Sequence, residues 1–331
     1  MVLKKCGLFL VSCCLIVSPT IFAQEIQSAT RFSDYLLTLK QEAITLGISE
    51  STIASAFPKI KRFRKAVVTN DDSLEGLTLE TYLPNRVTET NVLTARALYK
   101  EHYEELNVLG KKYGVQPRFI VSMWGIESNF GAHLAHYPVL SVTASLAYNK
   151  TNEPYHKAEF FSALKILDNG QLEYSELLAS GEGGLGLMQM SASHYLSATQ
   201  DSNGDGSQNI WSDSFDAMAL AAAYLQGAGW KSQETWGRQV LTPEGFDEAL
   251  VGLSTQKTFS QWSELGITRF DGSQLPKRDD MQISLIMPDG ITGRKYLVYD
   301  NFRALLTWKN SAYFAVSVAY LSERIKYPPI E

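Results

Sequence analysis

Beyond Cys14 the chain contains no cysteine: all three thiols, Cys6, Cys13 and Cys14, stand near the start of its 331 residues. The long remainder therefore has no disulfide, no cysteine nucleophile and no thiolate metal site. Positive charge is also in short supply. Lys and Arg number 30 against 35 Asp and Glu, with no basic run, which argues against nucleic acid as a partner. The five histidines (His102, His133, His136, His156 and His194) show no zinc-ligand spacing, and His133 and His136 read as structural or surface residues. No serine sits in a nucleophile-elbow motif. Past the leader no apolar run is long enough to span a bilayer, and the chain has neither internal repeats nor low-complexity tracts.

What is present begins with a leader. Met1-Val2-Leu3-Lys4-Lys5 is basic, residues 7–17 are apolar, and Ala23 precedes the polar Gln24, the layout of a secretory signal peptide over 1–23. Cleavage before Cys13, as in a lipoprotein, would leave Cys14-Leu15-Ile16-Val17 at the start of the mature chain and is the less favoured reading. Losing Lys4 and Lys5 takes the formal net charge from −5 to −7. An exported, thiol-free chain of about 300 residues points to a bacterial periplasmic protein that relies on its core for stability.

The rest reads as mainly α, with an α+β core, a flanking helical subdomain and a small β-hairpin element near 282–299. Helices are expected at 32–46, 49–57 (Ser49 as N-cap), 88–113, from 117, through 148, and at 155–168, 216–227 and 313–324. The long pattern over 88–113 puts Val92, Leu93, Ala97, Leu98, His102, Leu106 and Leu109 on one face. Strands are expected at 282–287 and 294–299 around Pro288-Asp289-Gly290. Residues 66–90 are turn-rich and 236–280 lack clear periodicity. Divided by pattern, the mature chain 24–331 has a helical part (24–112), a core (113–235), a β-containing part (236–300) and a C-terminal helix returning to the first part (301–331).

One helix carries the chemistry. Pro117 suits a first turn, and Phe119, Ile120, Met123 and Trp124 recur at helical spacing with Glu127 on their face, just before a stop at Gly131. An acid on a core face holds its proton unusually well, as a general acid must near neutral pH; the alternative is a buried Glu paired with a distant cation. Ser180 to Gly186 holds four glycines but no phosphate-loop signature. It reads either as a bare backbone wall for a polymer or as a flexible loop. Asp201-Ser202-Asn203-Gly204-Asp205-Gly206-Ser207 matches the first half of an EF-hand loop, with Asp213 or Asp216 available for the missing last carboxylate. A structural Ca2+ and an ordinary Asn/Asp/Gly turn both fit it.

The blocks Tyr82-Leu83-Pro84-Asn85-Arg86-Val87, Tyr113-Gly114-Val115-Gln116-Pro117, Trp124-Gly125-Ile126-Glu127-Ser128-Asn129-Phe130-Gly131, Gly206 to Trp211 and Tyr296 to Arg303 together resemble the lytic murein transglycosylase B family, glycoside hydrolase family 103. The resemblance implies a lysozyme-like core that cleaves the MurNAc–GlcNAc β-1,4 bond of peptidoglycan. Glu127 acts first as acid, then as base, and yields a 1,6-anhydromuramoyl product. It also implies Ser180, Gln189, Tyr224 and Trp308 as substrate-lining residues, and Asp201, Asn203, Asp205, Ser207 and Asp216 around a Ca2+ that the chemistry itself does not require. The implied partners are peptidoglycan glycan strands, with other cell-wall enzymes as candidates, for a monomer that does not bind nucleic acid. Glu182, His156, Lys157, Thr307 and Lys309 depart from the family's pattern. If Glu182 faced Glu127 it would make a water-using muramidase the alternative; a non-catalytic peptidoglycan-binding protein is the other.

Overall fold

The computed structural model describes residues 31–65, 76–134, 136–150, 152–197 and 206–326. The signal peptide at 1–23 and the candidate ligands Asp201, Asn203 and Asp205 lie outside the described residues. The chain opens with α1 (Phe32–Thr45) and α2 (Glu50–Ala56), the latter capped by Ser49, whose side chain accepts from the Thr52 amide at 3.2 Å as its position implied. After α3 (Leu79–Arg86), the single helix expected over 88–113 is two, α4 (Glu89–Glu101) and α5 (Tyr103–Tyr113). The break falls at His102, whose ring pairs with Glu105 and lies edge-on to Trp124, so tertiary contact overrides the periodic pattern. Leu93 and Ala97, expected on the buried face, are exposed.

α6 (Pro117–Ser128) is the hub of the molecule. Nine of its residues are buried, on all sides, so it has no solvent face. Gln116 ties its start to the segment that follows α10 (Ser214–Gly227): its amide nitrogen donates to the Ser232 and Glu234 carbonyls, and its oxygen accepts from Trp230 Nε1. Gly125 is needed in the middle. A Cβ there would stand 2.6 Å from the Phe130 ring and 3.1 Å from Leu321, on the C-terminal helix, so any side chain would push that helix away.

Between α6 and α10 come β1 (Tyr137–Pro138), α7 (Val139–Tyr148), α8 (Glu153–Asp168), β2 (Leu178–Ala179) and α9 (Ala192–Ser197), with β1 and β2 forming a short antiparallel ladder. The stretch without clear periodicity holds β3 (Gly237–Leu241), α11 (Phe259–Glu264) and β4 (Thr268–Arg269). Strands of five and two residues are too short to establish an alternation. The expected hairpin forms as β5 (Ser284–Ile286) and β6 (Lys295–Val298), with Leu285 opposite Leu297, inside a four-stranded antiparallel sheet of order β4-β3-β6-β5. The chain closes with α12 (Asp300–Trp308), which the sequence pattern had left unseparated, and α13 (Ala312–Lys326).

Two cores result. The larger runs from Leu39 in α1 through Ile126 in α6 and Leu220 in α10 to Leu321 in α13; the smaller joins Val240, Leu285 and Leu297 of the sheet, with Ile283 just ahead of β5, to Phe259 and Trp262 of α11. Full burial of such side chains contributes about 1.5–3 kcal/mol each. No described helix is long and apolar enough to cross a membrane.

Candidate active site

Glu127 stands in the last turn of α6, partly buried where its helical neighbours are wholly so. The helix ends at Ser128, one residue after Glu127 and before the anticipated glycine: Asn129 takes the left-handed cap (φ 50°), and Phe130 (φ 57°) and Gly131 (φ 85°) continue in that region. The Gly131 amide is then held by the Ser128 hydroxyl at 2.9 Å. Three left-handed residues in a row turn the chain sharply just past Glu127.

Loss of hydration pushes the Glu127 carboxyl up to about 7. Opposing this are the Lys309 ammonium, a hydrogen bond donated by Trp308 Nε1 to Glu127 Oε1 at 2.7 Å, and the Arg86 guanidinium; Glu182 adds a smaller push upward. Arg86 donates to the Ile126 carbonyl at the negative end of α6, where the helix dipole would otherwise favour the proton further.

Trp308 and Tyr224, expected to line the substrate, come together with Glu127. They meet edge-to-face at 5.0 Å, on α12 and α10. His194 of α9, to which the sequence reading gave no role, joins them, 4.3 Å from the Tyr224 ring and 6.4 Å from Trp308. Burial lowers its proton affinity, with Glu159 acting the other way. No sequence signal marked it, because its role depends on rings from two distant helices.

The glycine-rich loop reaches the same site through Glu182. It is not a bare wall. Gly184 lies under Gln189, whose side chain would be 2.9 Å from any Cβ there, and Gly186 (φ 61°) lies against the Ile210 backbone. Gln189, itself at φ 50°, donates its Nε2 to the Gly186 carbonyl at 2.8 Å. The Ser180 hydroxyl is turned into the loop, accepting from the Glu182 and Gly184 amides. The glycines thus admit close packing, and the loop is braced. Glu182 at its tip is exposed and reaches Lys309 at 3.5 Å, linking the loop to the end of α12.

Of the candidate calcium ligands, Asp216 is wholly buried in the first turn of α10, its Oδ2 accepting from the Asn209 amide at 2.9 Å. Asp213, the alternative, is occupied as the N-cap of α10, its Oδ1 accepting from the Phe215 and Asp216 amides. Among the described residues no cluster of three or more His, Cys, Asp or Glu could hold a metal. A hard-oxygen donor set does surround the segment in sequence, and a buried carboxylate turned toward residues 206–209 fits a cation that prefers oxygen.

A family model described as a transglycosylase SLT domain matches residues 31–323. Membrane-bound lytic murein transglycosylase B from Escherichia coli (strain K12) is 28% identical over 248 residues, which is 74% of this chain and 66% of that protein, just under two thirds of its length. SltB3 from Pseudomonas aeruginosa, solved in complex with NAG-anhNAM-pentapeptide, gives a TM-score of 0.78 at 30% identity over 89% of this chain and 79% of that one. Escherichia coli Slt35, solved in complex with calcium, gives 0.73 at 23% identity over 88% and 92%, a likeness of fold alone.

Proposed function

Because the chain belongs to the transglycosylase SLT domain family, we propose that it is a lytic transglycosylase that cleaves the MurNAc–GlcNAc β-1,4 bond of peptidoglycan through Glu127. The observation that carries this reading is the Glu127 carboxyl held by the Trp308 indole at 2.7 Å beside the Tyr224 and His194 rings, where lost hydration pushes it up to about 7. With its proton affinity raised from the usual carboxylate range toward neutrality, the same group can give a proton up and take one back.

In the first step the Glu127 carboxyl gives its proton to the glycosidic oxygen as the C1–O4 bond breaks, and the GlcNAc alcohol leaves. The carboxylate so formed is stabilised by the Trp308 hydrogen bond and by Lys309 and Arg86. In the second step it takes the proton of the muramyl 6-hydroxyl as O6 closes on C1. No water is consumed, and the acid is regenerated. Tyr224, Trp308 and His194 offer apolar ring faces to the sugars, and Gln189 and Ser180 brace the glycine-rich loop.

Glycosidases that use water pair two carboxylates across the bond. Glu182 is the acid nearest that role, and its exposure and its contact with Lys309 favour the one-carboxylate reading. The relatives' names and the sugar–peptide ligand of SltB3 support the substrate class. The leader supports a periplasmic location, and a monomer acting on glycan strands, alone or beside other cell-wall enzymes, completes the proposal. We assign a structural Ca2+ to Asp201, Asn203, Asp205, the Ser207 carbonyl and Asp216; it would brace the loop ahead of α10, which carries Tyr224, and takes no part in proton transfer.

The test is Glu127→Gln. Loss of murein lysis with sedimentation onto purified sacculi retained supports catalysis through this residue. Lysis retained at the wild-type rate overturns it, and sacculus binding without lysis by the wild-type protein would leave only a binding role.

A further inference from the structure

Two residues that the mechanism does not use as acid or base meet near Glu127. Lys309 follows Trp308 at the end of α12, and its Nζ stands 3.5 Å from Glu182 Oε2 at the tip of the glycine-rich loop. The two arms come from different elements, the end of α12 and the loop ahead of α9. Their side chains are 35% and 42% exposed, so water and salt screen the pair and little holds it closed. The loop end is fixed: the Glu182 amide is bonded to Ser180 Oγ, and Ser180 N is bonded to the Gly184 carbonyl at 2.8 Å. The lysine end is also placed, with Nζ 5.9 Å from the Phe314 ring. The charges facing Glu127 from the elements around it are Lys309 from α12, Arg86 from α3 and Glu182 from the loop.

An acid beside the reacting carboxyl repels an anionic polymer unless a cation masks it. A lysine masked by an exposed acid can exchange that partner for another carboxylate at small cost. We propose that Lys309 is a specificity-determining residue that reads a carboxylate carried by the muramyl side of the glycan, and that Glu182 is its internal substitute, displaced when such a substrate enters. This deepens the proposed function and rests on it. The carboxylate has two possible sources: the lactyl group of a sugar stripped of peptide, or the acids of an attached peptide stem. An uncharged N-acetylglucosamine polymer, or a strand whose carboxyls have been amidated, offers neither.

The readout is the ratio of kcat/KM on charged strands to kcat/KM on carboxyl-amidated strands, for the full-length mature protein. Four substrates serve: peptide-free strands with free lactyl carboxyls, stem-bearing strands, and the amidated form of each. Lys309→Met is expected to lower the ratio about tenfold, and Lys309→Arg to keep most of it. Glu182→Gln should raise the ratio several-fold by freeing the lysine, and the double variant should match Lys309→Met alone. The source of the carboxylate is whichever charged strand shows the loss. A Lys309→Met variant that slows all strands alike overturns the proposal, since a merely structural role, or one acting only through the proton affinity of Glu127, moves every substrate equally. A Glu182→Gln variant with the wild-type ratio overturns the displacement step. If wild-type protein cleaves none of the strands, it is the function proposed above that fails.

Discussion

Replacing Trp308 by Phe removes one N–H and keeps most of an aromatic ring. The indole donates to Glu127 Oε1 at 2.7 Å, on a carboxyl already pushed up to about 7 by lost hydration. A hydrogen bond to a charged acceptor stabilises it by about 1.5–3 kcal/mol. Because Trp308 favours the ionised form, its loss lets desolvation act less opposed and the proton is held more tightly. At about 1.4 kcal/mol per pH unit the bond corresponds to about one to two units. Lys309 and Arg86 remain to restrain the shift, so we expect its lower end. The assay is the pH dependence of kcat/KM on soluble glycan strands. Its descending limb reports loss of the acid's proton, and in Trp308→Phe that limb should move from about 7 to about 8. A limb that stays put or moves down refutes the electrostatic role. A slower enzyme with an unchanged profile would reduce Trp308 to a sugar-stacking surface.

Glu127→Gln should stabilise the protein in a pH-dependent way. Below the ordinary carboxyl value of 4.5 both folded and unfolded wild type hold the proton and the variants should differ little; above it the unfolded chain ionises first, so wild type loses stability until the folded carboxyl ionises near 7. The variant's advantage should reach about 3 kcal/mol by pH 8 in urea titrations. Asn301 is wholly buried, accepts from the Lys231 amide, and donates to the Lys231 and Glu234 carbonyls, pinning the start of α12. Asn301→Ala should cost about 3 kcal/mol in urea unfolding, and an unchanged midpoint would deny it that role. Millimolar Ca2+ should raise the melting temperature over that in EDTA, since saturation a hundredfold above Kd contributes about 2.7 kcal/mol; equal melting curves would remove the cation from the account.

The helix that carries Glu127 was legible because its apolar residues, a first-turn proline and one acid are contiguous. Even there the pattern suggested a single buried face, while the structure buries the helix all round beyond its first two residues and leaves only Glu127 partly exposed in that stretch. Trp308 and Tyr224 could be reached only through family resemblance, since nothing local marks a tryptophan that will bond an acid far away in the sequence. His194 and Lys309 matter through partners on other elements, and periodicity carries no such information. The split at His102, the strands β3 and β4, and the helix α3 with its internal Pro84 were missed for local reasons. They are short, or broken by tertiary contacts, and a hydrophobic period needs length to declare itself.

The central claim is that one carboxyl performs both proton transfers and that the sugar's own hydroxyl, in place of water, closes on C1. Digesting purified murein and weighing the new chain ends by mass spectrometry tests it most directly. Wild type should release muropeptides ending in 1,6-anhydromuramic acid, one water lighter than the reducing form, and Glu127→Gln should release none. Reducing-end muramic acid as the main product of the wild-type protein would contradict the claim and mark the protein as a water-using muramidase.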